Sequence, residues 1–265
     1  MAFTPRITRT MMARTVLIAG NWKMNKTIAE GESFADGLKS SIGDHDCEFA
    51  VFPPFFSVPF VSARLEGAGV TVGAQDLFWE KSGAFTGEIS AEMIADAGGT
   101  AVLIGHSERR HEIGETNDVV SRKLKAALDA GLVPVLCVGE TLEDREAGDA
   151  EPYVRIQLES AVAGLTVHQV QRMILAYEPL WAIGTGRTAS PEDADTMHRF
   201  VRKFIESRFG ADLAASIRIL YGGSVKPENA TALLGKEDID GALIGGASLD
   251  LDTFLGIAAA AEDPS

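Results

Sequence analysis

The sequence pattern that is most informative about the fold lies in Leu175-Ala-Tyr-Glu-Pro-Leu-Trp-Ala-Ile-Gly-Thr-Gly-Arg-Thr-Ala189. It begins as a short apolar run that ends at Tyr177, and the carboxylate of Glu178 follows at once. Pro179 cannot donate a hydrogen bond to a neighbouring strand, and it restricts the backbone of the residue before it. We therefore predict a buried strand that ends on an acid.

The residues after this strand predict a mobile loop and then a helix. Two glycines within residues 182–186 make this segment flexible, and we expect it to act as a lid with short hinges at 179–181 and 187–189. Ser190-Pro191-Glu192 then supplies an N-cap, a first-turn proline and a first-turn acid. A helix is expected to begin there.

Seven further apolar runs resemble the one that ends at Tyr177. They are almost continuously apolar, which is typical of strands covered on both faces in a parallel sheet. The predicted strands are residues 16–19, 49–52, 70–73, 101–104, 133–138, 173–177, 217–221 and 241–244. Stretches of helical period lie between them, at 27–41, 116–130, 153–163, 191–209 and 227–234.

This alternation of strand and helix predicts an α/β fold, a (β/α)8 barrel in a single domain. An open doubly wound sheet is the alternative, but Gly20-Asn-Trp-Lys23 follows the first strand where a Gly-x-Gly-x-x-Gly fingerprint would be expected. The chain has 265 residues, 46% of them apolar, enough for one large domain or two smaller ones, and nothing marks a boundary. We expect residues 14–265 to form the barrel and residues 1–13 to be a disordered tail. The tail contains Arg6 and Arg9 and no acidic residue, which is only a faint resemblance to a targeting segment.

Charge and cysteine content restrict the function. A net charge of -14 argues against a nucleic-acid partner, although a local pocket can still bind a small anion. Cys47 and Cys137 lie beside or within apolar runs and are expected to be buried thiols in a reducing compartment, the cytoplasm. No apolar run is long enough to span a membrane.

Polar residues and glycines follow five of the eight predicted strands. The active site of a (β/α)8 barrel is built from residues at these carboxyl ends. They are Asn21 and Lys23 after the first strand, His106, Ser107 and Glu108 after the fourth, Glu178 after the sixth, Gly222, Gly223 and Ser224 after the seventh, and Gly245 and Gly246 after the eighth.

Each of these residues also has a purely structural interpretation. Lys23 could be a solvated lysine and His106 a buried structural histidine, while the glycine pairs could be simple turns. Glu178 is harder to explain in this way, because a carboxylate at the end of a buried strand is costly unless it is paired or used. The glycines after the last two strands favour phosphate binding on backbone N–H groups.

Five segments together resemble the triosephosphate isomerase family, over residues from about 16 to 260. They are Ala19-Gly-Asn-Trp-Lys-Met-Asn25, Gly105-His-Ser-Glu-Arg-Arg110, Ala176-Tyr-Glu-Pro-Leu-Trp-Ala-Ile-Gly-Thr-Gly186, Tyr221-Gly-Gly-Ser-Val225 and Gly241-Ala-Leu-Ile-Gly-Gly-Ala-Ser-Leu249. The resemblance implies a (β/α)8 barrel that interconverts dihydroxyacetone phosphate and glyceraldehyde 3-phosphate. It also implies no cofactor, no metal and a homodimer.

The resemblance also implies roles for individual residues. Glu178 would be the base, His106 the electrophile and Lys23 the electrostatic stabiliser. Asn21 would donate to the reacting oxygens, Glu108 would orient Lys23, and Ser107 would hold the resting Glu178. The phosphate would bind at Gly184, Ser224, Gly245 and Gly246.

In the same family the loop after the third strand, residues 75–87 here, inserts beside the active site of a partner subunit. Phe78 and Trp79 look exposed in this loop, and Thr86 is expected to approach the partner's site. Asp76 stands where asparagine is common and Arg187 where lysine is common.

Two other functions remain open. Another phosphate-handling barrel enzyme, such as a sugar-phosphate isomerase or an aldolase, is the first, but a Schiff-base aldolase would need a lysine where Glu178 stands. A catalytically silent binding protein is the second, and it would be expected to have lost Lys23, His106 or Glu178.

Overall fold

A computed structural model describes residues 14–183 and 189–262, so the predicted tail at 1–13 lies outside the described part. Within these ranges the chain alternates strand and helix. The strands are β1 Leu17–Asn21, β2 Glu48–Phe52, β3 Thr71–Ala74, β4 Ala101–Ile104, β5 Val133–Val138, β6 Ile174–Tyr177, β7 Ile219–Tyr221 and β8 Gly241–Ile244. The α-helices are α1 Ile28–Ser41, α2 Val58–Leu65, α3 Ala91–Asp96, α4 Ser107–His111, α5 Asn117–Asp129, α6 Leu142–Ala147, α7 Ala150–Val162, α8 Val167–Val170, α9 Pro191–Phe209, α10 Ala211–Ser216, α11 Pro227–Leu234 and α12 Leu251–Glu262.

The strands form one closed parallel barrel in sequence order. β1 closes it, because Leu17 pairs with Glu48 on one side and with Gly241 on the other. The predicted (β/α)8 barrel is confirmed, and the open doubly wound sheet is wrong.

Apolar side chains cover both faces of the barrel wall, which explains why the strands lack an alternating pattern. In β1, Leu17 and Ala19 belong to the cluster inside the barrel, whereas Ile18 packs in the outer cluster between strands and helices. The interior is filled by Leu17, Ala19, Ala50, Phe52, Ala101, Leu103, Val135, Cys137, Ile174, Ala176, Leu220 and Leu243. The barrel is therefore a packed core that leaves room for a site only at its ends.

Some predicted boundaries shift by one or two residues. Asn21 is the last residue of β1, in register with Phe52, rather than the first residue after the strand. β7 begins at Ile219 instead of Ile217, because the Ile217 N–H donates to Leu213 O and so caps α10. The N-cap at Ser190 is confirmed, since its hydroxyl accepts from the Asp193 N–H at 3.0 Å.

The predictions for the cysteines and the aromatic loop are confirmed only in part. Cys137 is fully buried but Cys47 is half-buried, and both are free thiols. Phe78 and Trp79 are half-buried rather than exposed, and their rings stack at 4.0 Å, whereas Phe85 is exposed. Along the parts of the chain that are described, no helix combines the length and apolar character needed to cross a membrane.

Candidate active site

A cavity of about 270 Å³ opens at the carboxyl ends of the strands. Most of the predicted site residues line it, including Asn21, Lys23, His106, Glu178, Ser224, Gly245 and Gly246. Glu108 and Ser107 lie next to these residues and bond to them. Gly184 and Arg187 lie outside the described residues, as does most of the predicted lid.

Glu178 lies at the centre of this cavity and is buried, with 2% of its surface exposed. Its backbone N–H donates to Val138 O at 2.8 Å, which extends the pairing of β6 with β5 by one residue. Two glycines make space for it. A methyl group on Gly139 would collide with the Glu178 carbonyl, and one on Gly222 would meet the Glu178 side chain.

The carboxylate of Glu178 is held by the segment that follows β4. Its Oε1 lies 2.9 Å from His106 Nε2, and its Oε2 accepts from the Ser107 N–H at 2.8 Å. His106 is the N-cap of α4, and its Nδ1 accepts from the Glu108 N–H at 3.3 Å. Because Nδ1 accepts, the ring proton is assigned to Nε2, the nitrogen that faces Glu178.

The protonation states of Glu178 and His106 depend on each other. Burial alone raises the pKa of Glu178, but His106, the Ser107 N–H and Lys23 outweigh it and hold the pKa below its usual value. Burial lowers the pKa of His106, and the carboxylate of Glu178 outweighs this effect, so that the pKa lies above its usual value. The ionised carboxylate and the imidazole thus each favour the charged form of the other.

Lys23 is fixed through its backbone as well as its side chain. It has a positive φ of 52°, which is uncommon for a residue with a side chain. Its N–H donates to Asn21 Oδ1 at 3.0 Å, and its carbonyl accepts from Gln75 Nε2 at 2.8 Å. Lys23 Nζ then donates to Glu108 Oε1 at 2.6 Å.

The glycine-rich turns after β7 and β8 close the other side of the cavity. A 3-10 turn, Gly246–Leu249, follows β8, and Ser248 braces it by donating from both its N–H and its hydroxyl to Gly245 O. A methyl group at Gly245 would press against the Lys23 side chain, 3.3 Å from Cε. Glycine there lets the backbone approach the lysine closely.

Gln75 and Glu140 support residues in or beside the site, although neither lines the cavity. Gln75 holds the Lys23 carbonyl, and nothing in its local sequence points to this contact. Glu140 is fully buried after β5, where its Oε1 accepts from Tyr177 Oη at 3.0 Å and from Trp181 Nε1 at 2.9 Å. The sequence does mark Glu140, because it is an acid that follows a buried strand, as Glu178 is.

Glu178, His106 and Lys23 meet at one end of the barrel, and this placement indicates the kind of protein. A closed parallel barrel has a buried carboxylate, an imidazole and a lysine converging on one cavity at the carboxyl ends of its strands. This is the arrangement of a (β/α)8-barrel enzyme.

Comparison with known proteins narrows this class to one family. The profile of the family described as triosephosphate isomerase matches residues 16–261. The chain is similar to a protein named triosephosphate isomerase from Roseiflexus sp. (strain RS-1), with 49% identity over 92% of this chain and 96% of the relative. A protein of the same name from Carboxydothermus hydrogenoformans is also 49% identical, over 92% of this chain and 98% of the relative. One from Rhodopirellula baltica is 47% identical over 94% of this chain and 99% of its own. The chain belongs to the triosephosphate isomerase family and is an isomerase.

Proposed function

We propose that this protein interconverts dihydroxyacetone phosphate and glyceraldehyde 3-phosphate by proton transfer through an enediolate. The observation that carries the proposal is the contact of the buried Glu178 carboxylate with His106 Nε2 at 2.9 Å. A carboxylate that is ionised at neutral pH and faces an N–H donor across a small cavity can take a proton next to a carbonyl that the donor polarises. The family to which the chain belongs supports this reaction.

Glu178 is the proposed base. In the resting arrangement its two oxygens are occupied by His106 and Ser107, so the side chain must turn into the cavity to reach a substrate. There it removes a proton from the carbon beside the carbonyl and returns it to the neighbouring carbon. The lowered pKa of Glu178 keeps it ionised before substrate arrives.

The other residues stabilise the charge that develops on oxygen. His106 donates from Nε2 to the substrate oxygen, in the place that Glu178 Oε1 leaves. Lys23 offsets the charge of the enediolate and the phosphate, Asn21 donates beside the reacting oxygens, and Glu108 orients Lys23 through their 2.6 Å contact. Ser107 holds Glu178 between turnovers.

The phosphate is proposed to bind at Ser224, Gly245 and Gly246, with Gly184 as a further donor from outside the described residues. Ser224, Gly245 and Gly246 line the same cavity as Lys23. Glycine backbones at strand ends can offer N–H groups to a phosphate without a side-chain clash.

We further propose that the enzyme is a homodimer of cytoplasmic location, in which the loop at residues 75–87 inserts beside the partner's site. Phe85 and Thr86 are exposed on this loop. An exposed aromatic residue on a loop tip is the kind of surface that a partner covers.

A coupled assay with glyceraldehyde 3-phosphate, without added metal or cofactor, tests the reaction. Glu178→Gln preserves the shape and removes the basicity, so kcat should fall by about 10²–10⁴-fold or more. Glu146→Gln, an exposed glutamate on α6, is the matched control and should leave kcat unchanged. Near-normal turnover by folded Glu178→Gln contradicts the assignment of the base.

A further inference from the structure

We propose that Lys26 is a positioning residue that holds the turn Gly246–Leu249 at a fixed distance from the loop that carries Lys23. The inference rests on the proposed function, since it concerns the phosphate end of the same cavity. It adds a residue between β1 and α1 that does not line this cavity.

The backbone of Lys26 has an unusual conformation. Its φ is 70°, and within residues 14–183 and 189–262 only Lys23 and Lys26 combine a side chain with a positive φ. Such a conformation is unfavourable for residues other than glycine, so it persists only where surrounding contacts impose it.

The side chain of Lys26 supplies those contacts. Nζ donates to Leu249 O at 2.7 Å, which joins the loop after β1 to the end of the turn after β8. The same ammonium lies 5.4 Å from the Trp22 ring centre and 4.9 Å from that of Phe34. Two aromatic faces and one carbonyl thus fix a cation on a side chain that would otherwise be mobile.

The turn transmits this contact to the cavity. Leu249 is its last residue, and Ser248 binds Gly245 O through its N–H at 2.9 Å and its hydroxyl at 2.7 Å. A shift of Leu249 therefore moves Gly245 and Gly246, which line the cavity. A methyl group built on Gly245 would lie 3.3 Å from Lys23 Cε, so the turn and the lysine side chain are already close together. A shift of the turn would therefore change the space between Gly245 and Lys23, and the Lys26 contact limits that shift.

The test compares Lys26→Met with Lys26→Arg. Methionine keeps the length of the side chain and removes the donor, so KM for glyceraldehyde 3-phosphate should rise by up to about 10-fold, as expected for the loss of a charged hydrogen bond, with kcat changed much less. The inhibition constant of inorganic phosphate should rise in parallel. Lys26→Arg retains a donor and should restore both values.

Lys39→Met is the matched control. Lys39 also donates to backbone carbonyls, those of Arg64 at 3.0 Å and Glu66 at 2.9 Å, but it has no contact with the cavity. It should change neither KM nor phosphate inhibition. If Lys26→Met does not fold, Lys26→Gly, which suits a positive φ and lacks the donor, must show the same rise in KM.

Turnover of unphosphorylated glyceraldehyde distinguishes a specific effect of Lys26 on phosphate binding from a general loss of catalytic activity. Its slow turnover should be equal in wild type and Lys26→Met, because it lacks the group that the turn binds. An unchanged KM and phosphate inhibition in Lys26→Met overturn the inference, as does an equal loss with both substrates. If the wild type neither turns over the triose phosphate nor binds phosphate, the proposed function itself is wrong.

Discussion

Two carboxylates, those of Asp76 and Glu115, converge on the buried ammonium of Lys123. Lys123 Nζ lies 2.6 Å from Asp76 Oδ1 and 2.5 Å from Glu115 Oε1, and Arg109 bridges the same two acids. Burial raises the pKa of Asp76 to about 6, with Glu115 adding to the shift and Lys123 and Arg109 only partly opposing it. The ionised form of Asp76 is therefore costly to the fold at neutral pH.

Asp76→Asn should stabilise the protein at pH 8. A pKa raised from 3.8 to about 6 means that the folded state binds the proton more tightly, so the contribution of Asp76 to stability falls as pH rises through this window. At about 1.4 kcal/mol per pKa unit, the ionised carboxylate costs up to about 3 kcal/mol at pH 8. The advantage of asparagine should shrink as pH falls from about 6 towards 4.

Urea denaturation of both proteins across this pH range checks the prediction. Asp36→Asn serves as control, because Asp36 is about half exposed in its 3.2 Å pair with Arg64, and a surface pair of this kind contributes little. A variant Asp76→Asn that is no more stable than wild type at pH 8 would show that the two cations fully offset the burial of the carboxylate.

Among the secondary-structure elements, the strands are the ones that the sequence predicts most accurately. β4, β5 and β8 match their predicted bounds, because a strand buried on both faces leaves a continuous apolar run that polar loops interrupt. Short helices were harder to predict. α8 has only the four residues Val167–Val170, too few for a helical period to show.

The site was predictable where its chemistry is carried by side chains at strand ends, and less so where it depends on packing. Glu178 and His106 stand out as titratable residues that follow apolar runs. Gly139 does not stand out in this way. A side chain is excluded there because the Glu178 carbonyl, after the next strand, lies against it, and this contact exists only in the folded barrel. No local pattern in the sequence contains that information.

Gly139→Ala should therefore disturb β5, β6 and the site together. The added methyl group meets the backbone of Glu178, which cannot rotate away as a side chain would, so the loss of stability should be at least ~2 kcal/mol. Activity per folded molecule should fall as well, because the base is displaced. Thermal denaturation and the coupled assay measure the two effects.

Gly43→Ala is the matched control for this substitution. A methyl group at Gly43 meets nothing within 4 Å, and Gly43 is not among the glycines with a positive φ. It should alter stability by no more than about 0.5 kcal/mol. If Gly139→Ala lost no more stability or activity than Gly43→Ala, the prediction would be wrong, because the end of β5 would then be able to move away from Glu178 at little cost.

Three exposed apolar side chains lie on loops that follow neighbouring strands of the barrel. Met24 follows β1, Phe56 follows β2 and Phe85 follows β3, with exposed fractions of 96%, 53% and 41%. Because these parallel strands are adjacent in the barrel, their carboxyl-end loops share one side of the molecule. A surface of this kind is typical of an interface.

The proposed homodimer would cover these side chains, with Phe85 inserted into the partner. Phe85 packs 4.5 Å from the Phe78 ring centre, so the tip of its loop is preformed rather than dependent on a partner for its shape. Met24 and Phe56 line a groove that also includes Ile28 and Pro54, and this groove offers an apolar seat for such a tip. Insertion would bring Thr86 towards the loop that carries Lys23.

Phe85→Asp should convert the proposed dimer to a monomer, because a carboxylate would then have to be buried unpaired in an apolar groove. Sedimentation velocity over a dilution series measures the change, and the coupled assay on the same samples should show activity falling with the dimer. Ile156→Asp is the matched control, since Ile156 is 58% exposed on α7, away from these loops. It should leave both mass and activity unchanged. A wild-type protein that sediments as a monomer with full activity at high dilution would show that one subunit completes the site alone.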